Sequence, residues 1–252
     1  MEQVKRTGHV VNTETGKLDD AKVSMDKVHA IFTKIAGRYD LFNALSSFGI
    51  YKLWLVRTVR VANARPKDEV LDLAAGTGDV TYAIAKATPP ARICCTDFTP
   101  AMLDVARSRL EAEGNGVPIE FEVVDAQDIP YPDESFDLVT IAYGIRNIPD
   151  REKAIAEAYR VLKKGGRYVI LEFSTPPNVV WRTLYHIYLN VMIPLIGGIL
   201  TGDRSGFVYL KNSIRAFPNQ EGLVRLLRNA GFKHVMYKNC TGGITAIHMA
   251  IK

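Results

Sequence analysis

The sequence predicts an α/β fold, in which one mostly parallel β-sheet is covered by helices on both faces. From residue 69 onward, short apolar runs alternate with longer stretches of helical periodicity. The apolar runs lack the polar–apolar alternation of half-exposed strands, so we expect them to be buried on both faces. At 252 residues the chain suits one large domain with a small addition and is too short for two average domains.

Seven runs have the composition and length of β-strands. They lie at 69–74, 91–96, 119–124, 136–142, 167–173, 232–239 and 244–251. Helices are predicted between them at 79–87, 100–113, 150–163 and 219–230. The last two strands are joined by Thr241-Gly242-Gly243, a hairpin-like turn, so the sheet should end in an antiparallel strand. Right-handed crossovers between the other strands give a Rossmann-like, doubly wound sheet of seven strands.

Three segments lie outside this alternation. Residues 1–25 are polar, and we expect them to be flexible. Residues 26–62 have helical periodicity and are predicted to form an N-terminal helical cap, with a second helix starting near Ser46 or Ser47. Residues 174–216 form a long insertion, for which a substrate lid is the predicted role. Together, 26–252 constitute a single domain.

The insertion contains an apolar stretch, 184–202, whose length approaches that of a membrane span. It is interrupted by His186, Asn190 and Pro194, so its longest uninterrupted apolar part is short for a span. We therefore predict a buried or interfacial helix that breaks at Pro194.

Composition and charge exclude several classes of function. The net charge of +5 is spread along the chain without a basic block, which argues against nucleic-acid binding and fits weak attraction to an anionic surface. The three cysteines, Cys94, Cys95 and Cys240, have no CxxC spacing, so neither a disulfide framework nor a zinc site is expected. The first residues contain no apolar secretory segment, which favours a cytoplasmic protein.

The stretch LDLAAGTGDV, 71–80, predicts a ligand-binding turn between a strand and a helix. Gly76 and Gly78 permit a tight turn and a close approach of the ligand. The loop lacks the Lys of a triphosphate-binding loop, and Thr81 stands where a dinucleotide site usually has a third small residue. Asp79 at the helix entrance would repel a phosphate, which favours a ligand without phosphate.

Carboxylates follow successive strands and indicate S-adenosylmethionine as that ligand. Asp72 and Asp79 suit its cationic groups, Asp97 can accept both ribose hydroxyls, and Asp125 beside Ala126 can take the adenine amino group. Such a series is typical of class I methyltransferases. The predicted cofactor-binding residues are Asp72, Gly76, Thr77, Gly78, Asp97, Asp125, Ala126 and Tyr143.

Longer motifs give the sequence a family resemblance. From about residue 27 to the end it resembles the C-methyltransferases of quinone biosynthesis, namely demethylmenaquinone methyltransferase and 2-polyprenyl-6-methoxy-1,4-benzoquinol methylase. Three departures from the family pattern are Tyr51 in place of His, Ala75 in place of Gly and Ala142 in place of Ser. The motifs that carry the resemblance are IFTKIAGRYDLFNALSSFGIYKLW (31–54), LDLAAGTGD (71–79), TIAYGIRNIPD (140–150), VLKKGGRYVILEFS (161–174), YLKNSIRAFPNQEGLVRLLRNAGF (209–232) and NCTGGITAIHMA (239–250).

The resemblance implies methyl transfer from S-adenosylmethionine to a ring carbon of a polyprenylated quinol, with S-adenosylhomocysteine as the second product. Arg146 and Asn147 follow the fourth strand, on the usual substrate side, and are the candidates for holding the ring oxygens. Tyr39, with Asp40, is the candidate for closing over the ring or cofactor. His186 and His248 are candidate bases, although isolated histidines in apolar stretches are more often structural.

The resemblance also implies a location at the membrane surface, because a polyprenyl substrate resides in the bilayer. Peripheral contact with the inner face of the membrane is expected, without nucleic acid and without a metal. Demethylmenaquinol is the favoured substrate. Methylation of another hydrophobic molecule, such as a sterol, fatty acyl chain or phenol, remains an alternative, as does a non-catalytic scaffold. The oligomeric state stays open, a homo-oligomer included.

Overall fold

The computed structural model describes residue 33 and residues 43–44, 46–114, 116–201 and 205–252. Its centre is a seven-stranded sheet in the order β3-β2-β1-β4-β5-β7-β6. Neighbouring strands from β3 to β5 are parallel, and β7 is antiparallel to both β5 and β6. The strands are β1 (Glu69–Leu73), β2 (Arg92–Asp97), β3 (Ile119–Val123), β4 (Phe136–Ala142), β5 (Leu162–Phe173), β6 (His234–Cys240) and β7 (Thr245–Ile251). The predicted fold class is confirmed.

Helices cover both faces of the sheet. Packing contacts place α1, α2 and α3 on one face and α4 and α7 on the other. The adjacent Cys94 and Cys95 pack into these opposite layers, because successive side chains of a strand alternate between faces. The helices are α1 (Tyr51–Ala62), α2 (Asp79–Ala87), α3 (Pro100–Glu113), α4 (Arg151–Val161), α5 (Val179–Thr201), α6 (Ser205–Ala216) and α7 (Gln220–Asn229).

Some predicted boundaries were wrong. The helix predicted to run to residue 163 ends at Val161, and β5 starts at Leu162, because Leu162 is fully buried and pairs with Phe136 of β4. The helix predicted to break at Pro194 continues through it as α5, in which proline removes one backbone donor without ending the helix. The helix expected from Ser46 or Ser47 is α1, which begins at Tyr51.

The predicted insertion forms α5 and α6, and α5 is apolar on two opposite sides. Tyr185, Leu189 and Ile193 are buried at a four-residue spacing. The opposite side is also apolar, although it is exposed; its residues are Val180, Leu184, Ile187 and Val191. A surface helix of a globular protein usually has a polar outer face. Within the described ranges, no helix combines the length and hydropathy needed to cross a bilayer.

The connection between β6 and β7 joins two distant helices. It forms a single 3₁₀ turn, Thr241–Gly243, between two antiparallel strands, in agreement with the predicted hairpin-like turn. The indole N–H of Trp54 in α1 donates to Oγ1 of Thr241 at 2.9 Å. The indole N–H of Trp181 in α5 donates to the backbone carbonyl oxygen of the same Thr241 at 3.0 Å. This turn therefore fixes the start of α5 against α1.

Candidate functional site

A cleft of about 420 Å³, open to solvent, lies at the carboxyl ends of the strands beside β1 and β4. The strand order reverses at this point, because β2 and β3 extend to one side of β1 while β4 and β5 extend to the other. Ligands of doubly wound sheets bind at such reversals. The predicted Asp72, Gly76, Thr77 and Tyr143 line the cleft, together with Asn43 and Tyr51.

Two features require glycine in the loop between β1 and α2: its backbone conformation and the close packing of α3 against it. Gly78 has φ +81°, a conformation that a side chain disfavours. A Cβ on Gly78 would also lie 3.1 Å from Leu110 and 3.2 Å from Ala106 of α3. Glycine at this position thus allows the loop to turn and α3 to pack closely behind it.

All three departures from the family pattern line the cleft. Tyr51 is buried at the start of α1, and Ala142 ends β4; both line the cleft. Ala75 lies in the loop, where its N–H donates to the Thr96 carbonyl at 2.8 Å and its carbonyl accepts from the N–H of Gly78 at 3.0 Å. Its backbone does not adopt positive φ, so alanine fits there without strain.

Asp72 is fully buried at the floor of the cleft. Its carboxylate accepts hydrogen bonds from the hydroxyl of Thr81 and from the hydroxyl of Thr140, each at 2.7 Å, and from the Thr81 N–H at 3.1 Å. Burial raises the pKa of Asp72 to about 6, and these hydrogen bonds oppose the rise. Asp72 therefore anchors the start of α2 to β1 and β4 and also contributes negative charge to the cleft.

Asp97 connects the end of β2 to the glycine loop. One of its carboxylate oxygens accepts the N–H of Gly76 at 2.9 Å, and the other accepts the N–H of Thr99 at 2.8 Å. A carboxylate oxygen can accept more than one hydrogen bond, so these backbone contacts are compatible with a ligand hydroxyl. This geometry suits the ribose role predicted for Asp97.

The other predicted acids have protein partners. Asp79 forms an ion pair with Arg109 of α3 at 2.7 Å while it lines the cleft. Asp125 accepts from the N–H of Gln127 at 2.8 Å, and the Gln127 side-chain amide donates to both of its oxygens. Ala126 is buried beside it. Asp79 thus begins α2, whereas Asp125 lies two residues beyond the end of β3.

Arg146 forms a buried ion pair beside the cleft. It lies in the 3₁₀ helix Ile145–Asn147 after β4. Its Nη1 is 2.8 Å from Oε1 of Glu172, which lies one residue before the end of β5, and it also donates to the carbonyl of Tyr143. Burial raises the pKa of Glu172, whereas Arg146 and two backbone N–H groups oppose the rise. A buried ion pair of this kind holds the guanidinium in a fixed orientation.

Asn147 and Tyr143 extend the polar cluster around Arg146. The Tyr209 hydroxyl of α6 donates to Oδ1 of Asn147 at 2.8 Å, and Nδ2 of Asn147 lies 3.4 Å from the Tyr143 carbonyl. The ring of Phe173 is 4.8 Å from that of Tyr143 and 5.3 Å from the guanidinium carbon of Arg146. The cofactor cleft and the polar cluster therefore meet at Tyr143.

Four candidate residues remain, of which the structure describes the two histidines. Tyr39 and Asp40 lie outside the described residues. Nε2 of His248 donates to the carbonyl of Gln220 at 3.1 Å, and burial lowers the pKa of His248 to about 4. His186 is half-buried on α5, with its ring 6.4 Å from that of Tyr185.

Three residues of the site were missed by the sequence analysis: Asn43, Glu172 and Tyr209. Glu172 had a visible signal, because a lone acid within the apolar run of β5 needs a partner when it is buried. Asn43 lies in a motif quoted for the resemblance. Tyr209 had no local signal, since its partner Asn147 is 62 residues away in sequence.

The fold and the site define a class I S-adenosylmethionine-dependent methyltransferase. The fold agrees with that of an S-adenosylmethionine-dependent methyltransferase from Thermotoga maritima, with a TM-score of 0.60, 19% identity, and coverage of 88% of this chain and 99% of the other.

The family follows from sequence comparison. Residues 20–252 match the model of the ubiE/COQ5 methyltransferase family. The ubiquinone/menaquinone biosynthesis C-methyltransferase UbiE of Stutzerimonas stutzeri is 41% identical over 227 residues, which are 90% of this chain and 89% of that protein. The UbiE of Shewanella pealeana is 38% identical over 237 residues, 94% of each chain. The chain belongs to the ubiE/COQ5 methyltransferase family, whose methyl donor is S-adenosylmethionine.

Proposed function

We propose that this protein methylates a ring carbon of a polyprenylated quinol, and that demethylmenaquinol is its substrate. The single observation that supports this chemistry most directly is the buried Arg146–Glu172 pair next to the cofactor cleft. Its relatives named for ubiquinone and menaquinone biosynthesis support the quinol as substrate.

The cleft offers suitable partners for S-adenosylmethionine. The glycine loop leaves space for the ligand, Asp97 presents two acceptor oxygens to the ribose, and the acids Asp72 and Asp79 favour cationic groups. Ala126 is small and buried beside Asp125, which suits the edge of an adenine. When bound, the cofactor supplies an electrophilic methyl group on a sulfonium.

The polar cluster suits the substrate half of the reaction. A quinol carbon becomes nucleophilic when the neighbouring hydroxyl loses its proton, so the protein must stabilise phenolate charge. Arg146 is positive, and Arg151 lies close enough for Glu172 and Tyr209 to influence its pKa. Both arginines therefore contribute positive charge near Glu172. The ring carbon then gains the methyl and loses its proton, which restores the aromatic ring.

Cofactor binding is tested by calorimetry with Asp97→Ala. Losing both ribose contacts to a carboxylate should weaken S-adenosylmethionine binding roughly 100-fold or more. The control is Asp104→Ala, an exposed acid on α3, which should bind like the wild type. Normal binding by Asp97→Ala would show that the cofactor is assigned to the wrong residues.

The substrate is tested by comparing demethylmenaquinol with the methoxy-benzoquinol at equal prenyl length. We expect kcat/KM to be at least about tenfold higher for the naphthoquinol, a difference of roughly 1.4 kcal/mol. The reverse preference would make the benzoquinol the substrate, and no methylation of either would reject the quinol assignment. Arg146→Gln should lower kcat roughly 100-fold, as is usual when a group that stabilises transition-state charge is removed.

We further propose that the protein works at the cytoplasmic face of the membrane, with the exposed side of α5 against the lipid. That side consists of Val180, Leu184, Ile187 and Val191, and the exposed Phe48 approaches it through the ring of Tyr188 at 6.3 Å. No Asp or Glu occurs in Val179–Thr201, and α1 adds exposed cations without an acid. An apolar face flanked by positive charge suits an anionic bilayer.

The membrane proposal is tested by sedimentation with phosphatidylglycerol-containing vesicles. Leu184→Asp combined with Ile187→Asp should reduce binding at least about tenfold, because charge is placed in the interface. Met236→Asp is the matched control, since Met236 is equally exposed but lies on edge strand β6. Wild-type protein that stays in the supernatant would reject the membrane proposal.

A further inference from the structure

Tyr185 carries a buried polar group that the described residues leave without a partner. Its side chain is only 5% exposed on the inner side of α5. Its hydroxyl makes no hydrogen bond to any residue within the described ranges. Burying a hydroxyl in this way costs folding free energy, and natural proteins keep few such groups. The hydroxyl is therefore a candidate for a ligand contact.

The surroundings of Tyr185 connect it to the polar cluster. It packs in an apolar cluster with Leu189 and Ile193, and Phe173 packs against that cluster. The Phe173 ring lies 5.3 Å from the guanidinium carbon of Arg146. Tyr185 thus forms the α5 side of the region that contains Arg146.

Electrostatics agree with this placement. Burial raises the pKa of Tyr185 well above its usual value, while the charge of Arg146 acts to lower it and that of Glu172 to raise it. The hydroxyl consequently stays protonated at neutral pH and can donate. A donor beside a guanidinium and one carboxylate favours an incoming oxygen that carries negative charge.

We propose that the Tyr185 hydroxyl donates a hydrogen bond to a ring oxygen of the bound quinol and so orients the ring toward Arg146. This inference rests on the proposed function. It assigns α5 a direct contact with the head group, in addition to covering the site.

The experiment compares Tyr185→Phe with Tyr168→Phe in the full-length protein. Tyr168 is a matched control, because its hydroxyl is also buried without a described partner, but it lies in β5 next to Phe232. With demethylmenaquinol of fixed prenyl length, Tyr185→Phe should lower kcat/KM about 10- to 100-fold. Tyr168→Phe should change it less than about twofold. Calorimetric affinity for S-adenosylhomocysteine should be unchanged in both variants, and neither should lower Tm.

The outcomes separate this inference from the proposed function. Wild-type protein that binds S-adenosylhomocysteine but methylates no quinol would reject the proposed function. An active wild type in which both variants retain kcat/KM would overturn only the role of Tyr185. A Tyr185→Phe variant that also loses Tm and cofactor affinity would show a structural role and would overturn the inference as well.

Discussion

Replacing Glu172 with glutamine isolates the charge of the buried pair. The side chain keeps its size, but Arg146 loses its counter-charge at 2.8 Å, where the two side chains are 5% and 1% exposed. Glu172 also accepts the backbone N–H groups of Phe173 at 2.8 Å and of Arg146 at 3.3 Å. An amide presents an NH₂ group toward one of these donors, so at least one contact becomes unfavourable.

The expected loss in the free energy of unfolding is about 3–5 kcal/mol, because removing one partner of a buried ion pair is strongly destabilising. The control is Glu120→Gln at a surface pair: it removes one of two partners of Arg92, at 3.0 Å with side chains 35% and 46% exposed, while Glu69 at 2.7 Å remains. Water screens such a surface pair, so the control should lose less than about 1 kcal/mol.

Urea unfolding followed by circular dichroism measures both variants, and turnover is measured in parallel. Glu172→Gln should also lower kcat, because Arg146 is no longer held by the carboxylate. Combining it with Arg146→Gln should destabilise by less than the sum of the single changes, since the two side chains form one ion pair that either change already disrupts. The reasoning would be refuted if Glu172→Gln and Glu120→Gln were equally mild, or if the two losses at Arg146 and Glu172 simply added.

Three further predictions concern pH and the glycine loop. The pKa of Asp72 is about 6 in the folded protein and 3.8 in the unfolded chain, so the protonated carboxyl stabilises the fold fully below pH 3.8. About 3 kcal/mol of the free energy of unfolding is lost as the pH rises through about 6. The variant Asp72→Asn should show no such loss when unfolding is measured at pH 4–7. The lowered pKa of His248 has the opposite effect, because the free energy of unfolding is highest above pH 6.5 and falls by about 3 kcal/mol as the pH drops to about 4. Unfolding of the wild type and of His248→Gln is compared over this pH range, and parallel curves of stability against pH would contradict the prediction. Gly78→Ala should lower the midpoint of thermal unfolding more than Gly114→Ala. Both glycines have positive φ, but only Gly78 is crowded, by Leu110 and Ala106. Equal shifts of the midpoint would exclude crowding as the cause.

The sequence predicted the fold well wherever local patterns determine it. Residues 79–87, 100–113 and 136–142 have the predicted bounds, because an amphipathic period or an apolar run ends clearly at each. The start of β5 was missed because its pairing with β4 is a tertiary contact. The break at Pro194 was wrong because a long helix can continue across one missing backbone hydrogen bond.

Part of the site was likewise predictable from local sequence patterns, and part of it was not. The positions of Asp72, next to the end of β1, and of Asp97, at the end of β2, were predictable, since the carboxyl ends of parallel strands meet at one edge. The partners around Arg146 were not, because Glu172 is 26 residues away in sequence and reaches it only through the pairing of β4 with β5. Sequence spacing therefore indicated the methyl donor, whereas the surroundings of the acceptor required the three-dimensional structure.

The turn at Thr241 has a spectroscopic consequence. The chain contains two tryptophans, Trp54 and Trp181, and both donate their indole N–H to this one residue. All intrinsic tryptophan emission therefore originates where α1, α5 and the β6–β7 turn meet. A displacement of α5 from the sheet would break one indole hydrogen bond and expose that ring to water. The unmodified protein thus contains its own fluorescent reporter for the position of the helix that covers the site.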